Sequence, residues 1–310
     1  MRIAFMGTPD FSVECLKALV ESEHEIVGVF CQPDKPVGRK QILTAPDVKV
    51  EALKHNLTVY QPVSLRNGKG VEILEEIKPD LVVVVAYGKI LPKDFLDYPK
   101  YGCINIHASI LPKYRGASPI HFAVLNGDKI TGVTAQQMDE GVDTGDILNI
   151  ATVEIGINDT TEYMYEVLAP LGAKVLMETI ELIEKGELNP VKQDEALASH
   201  VGLLSKEMSN IDWSCSAFDV HNKVRGLYSW PGTSTVISGK TLKIHSTVLS
   251  DKKGNNKPGE VVDSSNGLVV ACGDNKCVEI IELQLEGKKR MSAAAFLNGY
   301  PVEKGLILGK

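Results

Sequence analysis

Arg2-Ile3-Ala4-Phe5-Met6, followed at once by Gly7-Thr8-Pro9-Asp10 and then by apolar residues at Val13, Leu16, Leu19 and Val20, is the stretch that decides the fold class. A short apolar run, a tight turn and an apolar stripe at helical spacing predict strand, turn and amphipathic helix. Thr8 is the expected N-cap and Pro9 the first helical residue, where a missing N–H costs nothing. Ile26 to Phe30 and Leu81 to Val85 are further short apolar runs, separated by helical patterns. Strands apolar on both faces need cover on both faces. The expectation is therefore α/β: a Rossmann-like N-terminal domain with a largely parallel sheet between helical layers.

The same opening excludes two common chemistries. A dinucleotide fingerprint needs Gly-x-Gly-x-x-Gly so that the backbone can approach a pyrophosphate, and only Gly7 is present. No Gly-x-x-x-x-Gly-Lys-Ser/Thr of the Walker kind occurs either, since Gly239-Lys240-Thr241 has Ser234 where the first glycine would be. Six cysteines are scattered over 310 residues without a Cys-x-x-Cys pair, which argues against a zinc site or a disulfide framework. They read as small buried hydrophobes. No signal or transit segment fits ahead of a strand beginning at Arg2, and the longest purely apolar run, Leu81 to Ala86, is too short to span a bilayer. A soluble, cytoplasmic, monomeric protein without a membrane partner is expected.

Further along, Gln32-Pro33-Asp34-Lys35-Pro36-Val37-Gly38-Arg39-Lys40 forms a long charged connection, of the kind that often carries function in a compact α/β domain. From Asn158 the pattern turns helical. Asp159 and Glu162 resemble a capping box, Pro170 should kink or divide the helix, and Gly186 is a natural stop. Glu187 to Ser205 is polar and weakly periodic. Beyond it come short β-rich runs at Thr233–Ile237, Thr241–His245, Gly259–Val262, Leu268–Cys272 and Cys277–Leu283, separated by Ser-Gly, Gly-Asn-Asn and Asn-Gly turns. Such spacing suggests a small β-barrel of OB-like kind. The expected domains are a catalytic domain at 1–188, a linker at 189–205 and the β-barrel at 206–310.

Formal net charge is −7, which by itself speaks against nucleic acid, but it is unevenly spread. From Ser205 onward 14 Lys plus Arg face 11 Asp plus Glu, a balance of +3, which leaves −10 for residues 1–204. A basic second half can meet phosphates while an acidic first half does chemistry.

Two segments carry that chemistry. Cys103-Ile104-Asn105-Ile106-His107 alternates, so Cys103, Asn105 and His107 share one face of a strand. Ligands of open parallel sheets bind outside the carboxyl ends of strands, which places an amide and an imidazole to face a substrate. Satisfied polar residues at a strand end are the plainer alternative, and Cys103 reads as a buried thiol. The second segment is Met138-Asp139-Glu140-Gly141-Val142-Asp143-Thr144-Gly145-Asp146, after the alternating strand Val133 to Met138. The calcium-loop spacing is absent, so no metal is expected. Either this is a solvated acidic turn or one carboxylate, Asp143 by preference, reaches the imidazole of His107 and orients it.

Along nearly its whole length the chain resembles the methionyl-tRNA formyltransferases. The matching segments are Met6-Gly7-Thr8-Pro9-Asp10-Phe11, Asn105 through Ala117, Met138 through Asp146, Ile211-Asp212-Trp213-Ser214 and Trp230-Pro231-Gly232-Thr233. The resemblance implies formyl transfer from 10-formyltetrahydrofolate, as cosubstrate, to the amino group of methionyl-initiator tRNA. It implies Asn105, His107 and Asp143 as the catalytic set and Ser109-Ile110-Leu111-Pro112 as the folate-contacting segment. The loop of Gly38, Arg39 and Lys40 would approach the acceptor end of the tRNA, and the barrel would grip its stem. After Arg39 the family commonly has a glycine and further basic residues, where this chain reads Lys40-Gln41-Ile42-Leu43.

Those residue types suit the reaction. An α-amino group titrates near ~8, so a useful fraction is neutral and can attack the formyl carbon without a Ser or Cys nucleophile. Rate then comes from donors aimed at the developing oxyanion, worth roughly 3 to 4 kcal/mol each in comparable sites. Asn105 and His107 are such donors, and Asp143 can orient His107 and assist proton transfer. The competing readings are another acceptor (an amino-sugar nucleotide, glycinamide ribonucleotide or water) and a non-catalytic folate- or RNA-binding protein.

Overall fold

The computed structural model describes residues 1–38, 40–253 and 256–310, which fall into two compact units. One comprises Met1–Gly116, Thr131–Val153 and Tyr165–Val201; the other comprises Ala117–Ile130, Glu154–Met164 and Gly202–Lys310. No helix among the described residues is long and apolar enough to cross a membrane.

The chain begins β1 (Arg2–Gly7), α1 (Val13–Val20), β2 (Glu25–Phe30), the short strands β3 (Lys35–Val37) and β4 (Ile42–Thr44), α2 (Asp47–Lys54) and β5 (Val59–Tyr60). It continues α3 (Lys69–Ile77), β6 (Leu81–Val85), α4 (Lys93–Leu96), β7 (Cys103–His107) and β8 (Arg115–Gly116). Then come α5 (Pro119–Leu125), β9 (Ile130–Gln137), β10 (Ile147–Glu154), α6 (Thr161–Lys185) and β11 (His200–Val201).

Seven of these strands form one sheet in the order β10-β9-β7-β6-β1-β2-β5. The run from β5 to β7 is parallel throughout, and β9 lies antiparallel to β7. After β1 the chain builds outward through β2 and β5, then returns to lay β6 and β7 on the other side. That reversal between β1 and β6 is the position where open α/β sheets form a crevice. Every residue of β6 is buried, as a strand covered on both faces requires. On one face Ala4, Met6, Phe30, Val82, Val84 and Cys103 pack with Leu74 and Ile77 of α3 and Phe95 and Leu96 of α4. On the other, Gly172 of α6 comes so close that a Cβ there would meet Ile106, Cys15 and Val133.

Three local expectations change. Thr8 does not cap a helix: its hydroxyl donates to the Tyr87 carbonyl at 3.1 Å and accepts from Gln32 N at 3.3 Å. The turn after it is a short 3-10 segment, and α1 starts only at Val13. A Cβ at Gly7 would lie 2.7 Å from Ser12 Cβ, so this glycine serves close packing. At α6, Thr160 rather than Asp159 caps the first turn, accepting from Tyr163 N at 3.2 Å, while Asp159 accepts from Gly156 N. Pro170 does not divide that helix, which runs unbroken for 25 residues and stops at Gly186 in a left-handed conformation.

The second unit is built on an antiparallel sheet. After α7 (Ala217–Gly226) come β12 (Thr233–Ile237), β13 (Lys240–Lys253), β14 (Val261–Asp263), β15 (Leu268–Ala271), β16 (Lys276–Leu285), β17 (Met291–Ser292) and α8 (Ala293–Gly299). The sheet order is β12-β13-β16-β15-β14, with β17 also on β16. Ser238 and Gly239 both take positive φ, the two-residue loop whose twist matches a hairpin. β13 continues well past His245 because register shifts against β16 break the simple alternation without ending the pairing. Trp213 anchors the core and donates to Thr235 Oγ1 at 3.0 Å.

Candidate active site

Asn105 and His107 stand at the carboxyl end of β7, opposite Gln136 and Thr134 of β9 in the register. The loop between β9 and β10 carries Asp143, which adopts φ of +55°. The sequence brings it there through two aids. Asp139 accepts from Gly141 N at 2.9 Å and Thr144 Oγ1 at 2.6 Å, which closes the turn. Gly145 must be glycine, because a Cβ would lie 1.6 Å from the Gln137 carbonyl.

The three residues expected from the sequence therefore meet. Oδ1 of Asp143 accepts from Asn105 Nδ2 at 3.2 Å and from Gln136 Nε2 at 2.8 Å, and Oδ2 accepts from Gly116 N at 2.8 Å. Nδ1 of His107 lies 3.6 Å from the same Oδ1, with the His107 and Asp143 side chains only 7% and 14% exposed. The other ring nitrogen, Nε2, donates to the Tyr114 carbonyl at 2.9 Å. A carbonyl oxygen only accepts, so Nε2 carries a hydrogen. Both ring nitrogens thus face oxygen.

The Ser109 to Pro112 segment wraps beside this trio. Thr134 Oγ1 accepts from Leu111 N at 3.1 Å and donates to the Ser109 carbonyl at 2.7 Å. Ser109 Oγ donates to the Lys113 carbonyl at 2.6 Å, and the Leu111–Pro112 peptide is cis. Ser109 and Leu111 are buried, whereas Ile110 and Pro112 keep exposed surface. Cys103, on the same strand as the trio, is deeply buried, and burial pushes its thiol pKa up out of the reactive range.

The loop of Gly38, Arg39 and Lys40 stands apart from these residues. Gly38 and Lys40 are exposed at the turn joining β3 to β4, and Arg39 lies outside the described residues. Among the described residues no hydrogen bond joins Gly38 or Lys40 to Asn105, His107 or Asp143. Val37, Ile42 and Leu43 of the same ribbon are more than half exposed. No cluster of three or more His, Cys, Asp or Glu able to hold a metal occurs among the described residues.

Sequence reasoning missed Gln136, Gly116 and Gln193. Alternation along β9 puts Thr134 and Gln136 on one face, a signal that could have found the first. A backbone N–H leaves no trace in residue type. Gln193, which donates to the carbonyls of Asp143 and Gly145, lies 50 residues from Asp143 in a stretch without periodicity.

With this geometry in place, comparison with known proteins is decisive. A family model described as formyl transferase matches residues 1–180, and one described as formyl transferase, C-terminal domain, matches residues 203–301. A methionyl-tRNA formyltransferase of Alkaliphilus oremlandii is 44% identical over 310 residues, covering 100% of both chains. The chain belongs to the methionyl-tRNA formyltransferase family. It is accordingly a formyl-transferring enzyme. Another family member, from Geotalea daltonii, is 46% identical over 310 residues, 100% of this chain and 98% of its own. The fold is shared more widely: an N-formyltransferase from Helicobacter canadensis, solved with folinic acid and dTDP-3-aminofucose, superposes with a TM-score of 0.70 at 20% identity, covering 90% of this chain and 98% of that one.

Proposed function

We propose that the protein transfers the formyl group of 10-formyltetrahydrofolate to the α-amino group of methionyl-initiator tRNA, with Asn105, His107 and Asp143 as its catalytic residues. The observation that carries this reading is the single carboxylate of Asp143 shared by Asn105, Gln136 and Gly116 beside the His107 ring. Asn105 spends one amide hydrogen on Asp143, which leaves the second for a carbonyl oxygen gaining charge. His107, with Nδ1 3.6 Å from Asp143 Oδ1, stands beside it as the second group placed to stabilise that oxygen.

The neutral amine attacks the formyl carbon, forming the new C–N bond while the carbonyl oxygen takes up the electron pair. Asp143 accepts the proton released from the attacking nitrogen and passes it, directly or through water, toward the departing folate nitrogen. The electron pair returns from the oxygen as the old C–N bond breaks, so no redox partner is needed. Ile110 and Pro112 are the members of their segment able to touch the folate, with Ser109 and Leu111 fixing the backbone behind them. Gly38, Arg39 and Lys40 would meet the tRNA near its acceptor end, and the C-terminal unit its stem.

The test offers 10-formyltetrahydrofolate together with charged initiator tRNA, charged elongator tRNA, an amino-sugar nucleotide, or water alone. Formylation confined to the initiator species supports the reading, and formate release or sugar formylation overturns it. For the loop, Arg39→Ala should weaken use of tRNA more at low salt than at high, with folate binding unchanged.

A further inference from the structure

The residue that fixes Asp143 from behind comes from the far end of the first unit. Arg115 heads the largest fully buried side chains among the described residues, at 1% exposed, and a guanidinium cannot shed its charge when buried. Its charge is met by Glu195, through Nη1 at 2.9 Å and Nη2 at 2.7 Å. Its third nitrogen, Nε, donates to Gln193 Oε1 at 3.0 Å. That bond settles which way the Gln193 amide points. Nε2 is turned away from Arg115 and donates to the carbonyls of Asp143 at 2.9 Å and Gly145 at 2.7 Å. Both of its hydrogens are therefore used on the loop that carries the carboxylate.

That loop needs holding. Asp143 sits at φ of +55°, a region a non-glycine residue keeps only when its surroundings impose it. Its carboxylate is held by Gly116 N, next in sequence to Arg115, and its carbonyl by Gln193, which Arg115 orients. Both ends of Asp143 are thus referred to the same dipeptide, which is itself paired with His200 and Val201. Misplacement of a catalytic group by about 1 Å can cost on the order of a hundredfold in rate.

We infer that Gln193, oriented by Arg115 and Glu195, is a positioning residue that sets the Asp143 carboxylate against Asn105 and His107. This rests on the catalytic reading of Asp143 given above. Gln193→Glu is the informative substitution. It keeps an acceptor for Arg115 and adds a charge that suits the guanidinium, so the anchoring of the segment survives. It loses the two donors and sets oxygen against the carbonyls of Asp143 and Gly145.

Turnover, both KM values and thermal melts are to be measured for Gln193→Glu, Gln193→Met, Asp143→Asn and each Gln193 variant combined with Asp143→Asn. The expected result is a kcat at least about fivefold lower in Gln193→Glu, with KM values within about twofold and the melting temperature retained. In the Asp143→Asn background the same change should alter kcat by less than about twofold, because the group it positions is already gone. Wild-type kcat in both folded Gln193 variants overturns the inference, as does a full multiplicative loss in the double variants. If Asp143→Asn alone retains wild-type kcat, the catalytic reading of Asp143 falls and the inference falls with it. Should Gln193→Met fail to fold, Gln193→Glu still decides the matter, since its contact with Arg115 is preserved.

Discussion

His107 donates from Nε2 to the Tyr114 carbonyl at 2.9 Å, and that bond fixes the edge of the ring turned toward Asp143. Rotating the imidazole to place Nε2 in the site would strand a buried carbonyl, at a cost of about 1 to 3 kcal/mol. The ring is held in one orientation before any substrate arrives, as electrostatic preorganisation requires.

Asn105→Ala and His107→Ala should each lower kcat by at least about tenfold, the loss expected for one donor or charge at an oxyanion. Melting temperatures recorded alongside should stay close to that of the parent. Near-normal turnover in both variants would remove the trio from the chemistry.

Cys103 invites a covalent mechanism by its place on β7, and its environment argues otherwise. Buried against the carbonyls of Phe95 and Leu96, with its pKa pushed up, it is a poor thiolate. Cys103→Ala should keep kcat within about twofold while costing roughly 1 kcal/mol in urea unfolding for the small cavity. A large loss of kcat in a fully folded variant would reopen the nucleophile reading.

Gly145→Ala tests the loop directly. The added methyl meets the backbone carbonyl of Gln137, which cannot swing aside as a side chain would. We expect a destabilisation of about 1 to 3 kcal/mol, together with lower kcat as the Asp143 loop shifts. Unchanged chemical denaturation would contradict the geometry of this turn.

Acid should weaken the fold through one buried histidine, His221, and two half-buried ones, His121 and His245. Burial lowers the pKa of His121, His221 and His245 from the ordinary 6.5. As pH falls below that value the unfolded chain binds protons that the folded chain resists. Stability is thus complete above about 6.5 and drains as pH drops toward the folded-state values. His221, bonded to Thr247 Oγ1 and the Ile157 carbonyl, is 2% exposed. Replacing it with Gln should flatten the pH dependence of unfolding free energy between 6.5 and 5, by up to about 1.4 kcal/mol per pH unit. An unchanged slope would show that His221 does not titrate in that window.

Much of the strand content of both units was legible because the strands are short, apolar and bounded by turn residues. Leu81–Val85, Cys103–His107 and Thr233–Ile237 are found where their patterns end. Long-range contacts defeated the local rules elsewhere. Thr8 had the chemistry of a cap, but the Tyr87 carbonyl across the sheet claimed its hydroxyl. Pro170 looked like a break, yet packing of α6 along the sheet carries the helix through it. Asn105, His107 and Asp143 could be singled out because amide, imidazole and carboxylate announce their chemistry. Gln136 and Gln193 are uncharged, and only the register of β9 and the buried charge of Arg115 give them meaning.

The two-residue pairing of β8 with β11 bears on how the chain can be dissected. A Cβ on Gly116 would lie 2.2 Å from the Val201 carbonyl, and Arg115 N bonds the Ser199 carbonyl at 2.8 Å. A fragment cut after Leu188 would retain Arg115 and lose Gln193, Glu195 and the whole of β11 at once. It would carry an Arg115 guanidinium stripped of Gln193 and Glu195 and an unsealed strand edge beside it. Subcloning, limited proteolysis and circular permutation all meet the same border, and an autonomous first unit has to be carried through Val201.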